Sequence, residues 1–199
     1  KERFSPKVSP DGEKLAYIQD RDKLMIMDLN TKAVKQLTDG SLIKSRRGLE
    51  FNWSPDSRWI AFTAVGNGHD PYYDIAIVNA DEYRPEVIML TESAYFDEQP
   101  VWSPDGNAVL FISDRYGMRN QASQSDVFAV FVNQEGLDRY RLNEEDYKLL
   151  TEQEKKEKKD KDAIIETRVE PQGIQDRLVR LTPYSSDVAG AVMNKDASK

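Results

Sequence analysis

An all-β chain, part of a β-propeller built from four-stranded antiparallel blades, is what this sequence predicts, and three observations predict it. A turn motif recurs as Val8-Ser9-Pro10-Asp11-Gly12, Trp53-Ser54-Pro55-Asp56 and Trp102-Ser103-Pro104-Asp105-Gly106, with a worn copy at Met193-Asn194-Lys195-Asp196. Ser first, Pro second and Gly tolerated fourth suit a type I turn, and the Asp carboxylate can accept backbone N–H groups that hold it. Each turn Asp is followed four residues on by an aliphatic residue (Leu15, Ile60, Val109) and six on by an aromatic one (Tyr17, Phe62, Phe111). That two-residue step is strand alternation. Each copy closes with Leu-Thr, at Leu37-Thr38, Leu90-Thr91 and Leu181-Thr182. The turn aspartates lie 45 and 49 residues apart, close to the ~40–50-residue period of a propeller blade.

Residues 1–40 read as the first blade, with strands Phe4–Val8, Lys14–Gln19, Lys23–Leu29 and Ala33–Thr38. Asp20, Asp22 and Asp28 could together hold a cation, but each stands at a polar turn and is read as a solvated turn residue. Residues 41–93 form the second blade, with its inner strand at Leu49–Trp53 and a later strand at Ile75–Val78. Arg46 and Arg47 could bind a carboxylate or phosphate; they are read as loop-capping residues. His69 is the single His of the chain and lies in the Gly-rich loop 66–73. With no second His and no Cys, no zinc site is expected within the chain, and His69 is read as a loop residue rather than a catalytic base.

The third blade is read as residues 94–136 plus 172–183, with a strand at Asp126–Asn133 and Gly117 at a positive-φ turn. Between its two parts, residues 137–171 form a charged insertion, helical or disordered. Asn143 can cap a helix whose first turn holds Glu144, Glu145 and Asp146. Glu152/Lys156 and Glu154/Lys158 are i,i+4 pairs, and the insertion nets −2, so it is no polybasic anchor. The delayed outer strand follows within Gln172–Leu181. Residues 184–199 read as the start of a next blade.

Composition narrows the function. The 199 residues carry a net charge of −7, which argues against nucleic acid as a partner. No Cys is present, so neither disulfides nor thiol chemistry arises. No run of 18 apolar residues occurs, so no helix is expected to span a membrane. No cofactor, metal or catalytic residue is assigned. A six-bladed ring needs roughly 270 residues, and about 160 stand outside the insertion. The chain is therefore read as a piece of a longer protein, with Tyr17, Phe62, Phe111, Trp53 and Trp102 packed between blades.

The Trp-Ser-Pro-Asp-Gly…Leu-Thr repeat is similar to that of the Tol-system periplasmic propeller protein and of tricorn proteases. Gly173-Ile174-Gln175-Asp176-Arg177-Leu178-Val179-Arg180-Leu181 resembles a signature that follows a charged insertion in bacterial tricorn homologues, with Gln175 where that pattern usually has Glu. The resemblance implies a large serine peptidase in which propellers precede a catalytic half. None of that half's motifs matches a position here. The expected partners are peptide substrates, the rest of the parent chain and further copies of the parent. The expected compartment is the periplasm, with the cytoplasm as alternative. A second reading from the same residues is a Tol-type scaffold that binds protein partners and has no catalytic half. A third, a propeller enzyme acting on carbohydrate or phytate, would need acidic side chains clustered at the channel, whereas the Asp residues here fall at turns.

Overall fold

The computed structural model describes residues 2–43, 50–65, 72–116, 124–157, 165–183, 188, 190, 191, 193 and 194. Twelve described strands build three antiparallel sheets. The first is β1 (Arg3–Val8), β2 (Lys14–Gln19), β3 (Lys23–Asp28) and β4 (Val34–Gln36), paired in chain order. The second is β5 (Phe51–Trp53), β6 (Trp59–Ala64), β7 (Asp74–Asn79) and β8 (Val87–Met89). The third joins β9 (Asp97–Trp102), β10 (Ala108–Ser113) and β11 (Asp126–Phe131) to the distant β12 (Leu178–Arg180), which pairs with β11 through Phe128↔Arg180, Ala129↔Val179 and Val130↔Leu178. These sheets are propeller blades. Arg46, Arg47, His69, Gly117, Lys195 and Asp196 lie outside the described residues, as does much of the expected fourth-blade start.

The central strands are apolar on both faces, which is why the sheets stack. In β7, β10 and β11 every residue is buried. One core layer joins Ala16, Ile18, Leu24 and Ile26 of the first sheet to Phe51, Trp53, Ile60, Phe62 and Val78 of the second. The next joins Ala61, Ile75 and Ile77, on the second sheet's other face, to Trp102, Val109, Phe111, Phe128 and Val130 of the third. Phe62 and Phe111 are wholly buried, each such side chain contributing roughly 1.5–3 kcal/mol. Tyr17 behaves differently. Strand alternation turns it to the face of β2 away from the second sheet, where it is buried beneath Arg3, whose guanidinium lies 5.2 Å from the ring centroid.

The inner strands are irregular for a chemical reason. Pro6 and Pro100 lack the N–H that a ladder needs, and register shifts appear there, with Ser5 and Gln99 at φ 50° and 58°. A bulge is where a strand tolerates proline. Polar side chains then tie one inner strand to the next. The Lys7 ammonium donates to Phe51 O (2.6 Å) and Asn52 Oδ1 (2.9 Å), the Asn52 amide to Pro100 O (2.6 Å), and Trp53 Nε1 to Lys7 O (3.0 Å). Burial pulls the Lys7 pKa down, against the opposing charge of Glu50.

The third strand of the third sheet ends at Phe131, two residues short of the expected Asn133. Asn133 instead caps a helix, α1 (Gln134–Arg141), by accepting from Gly136 N at 2.7 Å, so helix starts three residues ahead of the insertion expected to be helical or disordered. Leu137 of α1 is buried and Tyr140 lies 5.2 Å from Phe131, so α1 covers the outer face of the third sheet. A second helix, α2 (Glu144–Glu157), follows with Asn143 at its start, whose Oδ1 accepts from Asp146 N at 2.9 Å.

Candidate functional site at the loop end of the blades

Each sheet has two ends, and the sequence motifs sort between them. At one end stand the three Ser-Pro-Asp turns, which are the same object three times. The Ser hydroxyl donates to its Asp carboxylate (2.5, 2.5 and 2.6 Å) and accepts the N–H of the following strand, from Lys14, Trp59 and Ala108, at 2.9 Å in each. Desolvation, the largest single influence, works to raise the Asp11 carboxyl, but the Ser9 hydroxyl, the Glu13 N–H, the Lys14 charge and the Ser57 hydroxyl together outweigh it and hold it below the usual Asp value. The fourth position adopts positive φ in all three copies, at Gly12, Ser57 and Gly106. Glycine is thus favoured there by conformation, beyond being tolerated.

Ser57 is the exception with a use: its Oγ accepts the N–H of Asp11 from the neighbouring blade at 3.0 Å. Between the second and third blades the link comes from a returning strand of chain, where Thr167 N donates to Asp56 Oδ2 at 2.8 Å. Thr167 sits so close that a Cβ on Gly106 would lie 2.5 Å from its Oγ1. Gly106→Ala is therefore expected to destabilise the protein by about 1–3 kcal/mol, from positive φ and overpacking together. Thr167→Ala should recover part of the loss in urea unfolding, because it removes the clashing hydroxyl.

The nine-residue signature explains itself structurally. Gly173 takes φ 66° before a short 3-10 helix, Ile174–Arg177. Ile174 enters the core, and Arg177 is buried. Its guanidinium donates to four backbone carbonyls, those of Phe131 (2.9 Å), Gln172 (3.0 Å), Val132 (3.4 Å) and Glu170. Gln175 is exposed, so the departure from Glu there touches nothing the fold needs.

The opposite end carries the strand-to-strand loops and the Leu-Thr closures. Thr38, Thr91 and Thr182 each accept, through Oγ1, the N–H of the third strand of their own blade, from Leu24, Ile75 and Val127 (3.0, 2.9 and 3.3 Å). Here three carboxylates are buried. Asp97 is bound by the Arg115 guanidinium (2.6 and 3.4 Å) and by the Ser93 hydroxyl (3.1 Å). Asp126 is bound by Arg180 (2.9 and 3.0 Å) and the Thr182 hydroxyl (2.8 Å). Among the described residues Asp74 has only neutral donors, Ser93 N (2.8 Å) and the Thr91 hydroxyl (3.2 Å). Burial raises the Asp74 carboxyl above the ordinary Asp range, and the nearby Asp97 charge adds to the rise against those hydrogen bonds.

A group whose folded pKa is raised supplies stability that is full below its unfolded pKa. That stability is lost as pH rises through the folded pKa. Asp74→Asn keeps an oxygen for both donors and cannot ionise. It is expected to leave the protein at least as stable at neutral pH and to remove the fall in stability between the ordinary Asp pKa and the raised one. Thermal melts from pH 3 to 7 check this.

Above these ion pairs lies an aromatic surface spanning two blades. Tyr72, Tyr95, Phe96 and Tyr116 are all more than a third exposed. The Phe96 ring lies 5.4 Å from Tyr72 and 5.9 Å from Tyr73. Arg115 lies 5.6 Å over Tyr95 and 5.5 Å over Phe128, and Arg180 lies 4.6 Å over Tyr116. Tyr73 and Phe96 also bridge the second and third blades, with Asp97 N donating to Tyr73 O at 2.9 Å. The residues considered from the sequence as a cation site do not build one. Asp28 turns on itself, its Oδ1 accepting from Asn30 N and Thr31 N at 2.9 and 2.7 Å. Asp20 stands at φ 53° in the β2–β3 turn, and Asp22 faces Lys23 at 3.8 Å. Among the described residues no three His, Cys, Asp or Glu gather as metal ligands. The sequence alone does not single out Asp97, Arg115 and the aromatic rings around them as a site. Their signal was the pair of stretches Tyr95-Phe96-Asp97 and Ser113-Asp114-Arg115-Tyr116, whose partnership only the fold reveals.

Stacked four-stranded blades with this repeat define a β-propeller protein. The chain belongs to the TolB beta propeller domain family, whose model matches residues 1–164. It is similar to the uncharacterized peptidase YuxL of Bacillus subtilis, with 30% identity over 114 residues, 53% of this chain and 16% of that protein. It is also similar to a tricorn-like protease C-terminal subunit of Sulfurisphaera tokodaii, with 27% identity over 112 residues, 55% of this chain and 12% of that one. The chain thus spans under a fifth of the length of either relative. Among solved structures, the tricorn protease aligns over 92% of this chain and 17% of its own, with TM-score 0.61 and 18% identity. TolB from Acinetobacter baumannii aligns over 67% of this chain and 30% of its own, with TM-score 0.51 and 26% identity. No described helix is long and apolar enough to cross a membrane.

Proposed function

We propose that this chain is the non-catalytic propeller portion of a tricorn-type serine protease, admitting and positioning peptide substrates for a peptidase core outside residues 1–199. The observation that carries the reading is the loop-end surface. Four partly exposed aromatic rings span two blades there, over guanidinium groups already neutralised by Asp97 and Asp126. Such a surface takes up apolar peptide side chains without demanding a charge. Two of the similar proteins are named as a peptidase and a tricorn-like protease, which supports the same reading.

The test uses the complete protein with Tyr95→Ala and Phe96→Ala. KM for unstructured peptides should rise about tenfold with kcat little changed, the sign of lost uniform binding. A serine-directed covalent reagent should label the complete protein outside residues 1–199. Label or peptidase activity within residues 1–199 would overturn the division of labour. The family match favours a second reading, a Tol-type scaffold that holds protein partners; a complete protein with no peptidase activity selects it. The proposed compartment is the periplasm, with the cytoplasm as alternative, and cell fractionation decides between them.

A further inference from the structure

The insertion encloses a groove that the propeller reading leaves unused. α1 is anchored to the third sheet through Leu137 and Tyr140, and α2 is tied to α1 through the ion pair of Arg139 with Glu154. The Arg139 guanidinium donates to both carboxylate oxygens of Glu154 (2.5 and 3.2 Å) and lies 5.3 Å over the Tyr147 ring. That clamp spans about two turns of α2, so the angle between the helices is set. Between them runs an open groove of about 640 Å3, within the roughly 300–1,000 Å3 range of binding clefts. Its floor is apolar, made of Leu142, Leu149 and Leu150, and Leu149 is 59% exposed. Its rim is acidic. Glu154 is balanced by Arg139, whereas Glu135, Asp138 and Asp146 face no cation among the described residues. Asp138 and Asp146 each take a side-chain amide hydrogen bond, from Gln134 and Asn143, both at 2.7 Å.

We infer that this groove docks a basic amphipathic helical segment of a partner protein. Its apolar residues, at i, i+3 and i+4, would seat on the three leucines while Lys or Arg side chains line up with Glu135, Asp138 and Asp146. Charge complementarity selects this occupant. An acidic segment would face three carboxylates that have no cation partner among the described residues. A second copy of this chain carries a net charge of −7 and approaches against repulsion. The shape suits a helix, since the seam between two packed helices accepts the ridge of a third. The α2 residues that line the groove run from Asp146 to Glu154, about 12 Å of wall at 1.5 Å per residue. The inference is independent of whether the parent cleaves peptides.

The experiment is fluorescence anisotropy on the complete protein with a labelled 14-residue helical peptide of Leu and Lys, and its Leu and Glu counterpart as control. The Leu/Lys peptide should bind and the Leu/Glu peptide should not. Leu149→Ser and, separately, Asp138→Lys should each weaken binding about tenfold with the circular dichroism spectrum unchanged. Raising the salt should weaken it too. Equal binding of both peptides, or binding indifferent to both substitutions, overturns the proposal. A dimer in sedimentation that Leu149→Ser abolishes also overturns it, by assigning the groove to a second copy.

Discussion

Arg177→Met is expected to destabilise the protein by about 3–5 kcal/mol, the largest loss any single surface-distant side chain here should show. Arg177 is 6% exposed, and its guanidinium serves carbonyls from the end of β11 and its exit (Phe131, Val132) and from the returning chain just ahead of the 3-10 helix (Glu170, Gln172). Hydrogen bonds to a charged donor contribute roughly 1.5–3 kcal/mol each, and stranded buried acceptors add their desolvation. The four bonds share one side chain, so their sum overstates the effect, and the range for a broken buried charge network is the better guide. Arg177→Lys should recover less than half, because one ammonium cannot reach acceptors spread around a planar fork. Urea unfolding of the three proteins gives the numbers. Limited proteolysis should also cut the variant within 165–183 well before wild type.

Arg115→Leu comes next, at about 3–4 kcal/mol. The Asp97 side chain is fully buried and that of Arg115 16% exposed. Removing the cation leaves the Asp97 carboxylate, among the described residues, with the Ser93 hydroxyl, too little for an ion out of water. The Arg115 guanidinium lies 6.0 and 5.5 Å over the Phe111 and Phe128 rings, and leucine offers those rings an apolar but shorter side chain, so part of the loss is packing. Asp97→Asn combined with Arg115→Leu should restore at least half of the stability, since no charge is then stranded. The non-additivity of the double-mutant cycle in urea is the measurement. Strict additivity would show that the two groups do not sense each other.

The sequence made the local chemistry legible and the distant partnerships invisible. Ser-Pro-Asp turns and two-residue alternation are decided within five or six residues, and the strands of all three blades stand close to where that pattern places them. The early start of α1, ahead of residue 137, was hidden because Gln134-Glu135-Gly136 follows the third strand directly and holds a glycine that disfavours helix. Gly136 is needed for packing: a Cβ there would lie 2.8 Å from the Asn107 Cβ. Arg115 and Asp97 are 18 residues apart, and Arg177 and Phe131 are 46 apart. Both arginines looked like ordinary loop and turn residues until the fold supplied acceptors. The aromatic surface was hidden for the same reason, since Tyr72 and Phe96 belong to different blades.

The late arrival of β12 has a kinetic meaning. Its Arg180 meets Asp126 across 54 residues of chain, where the first two sheets add their outer strands through short turns. Loop closure over that span is unfavourable by about 2 kcal/mol more than over a five-residue turn. During synthesis, therefore, the edge of β11 emerges and waits, open to mispairing, until the insertion has left the ribosome. Trimming residues 144–164 to a short linker should speed the slowest refolding phase and leave the first two blades unaffected.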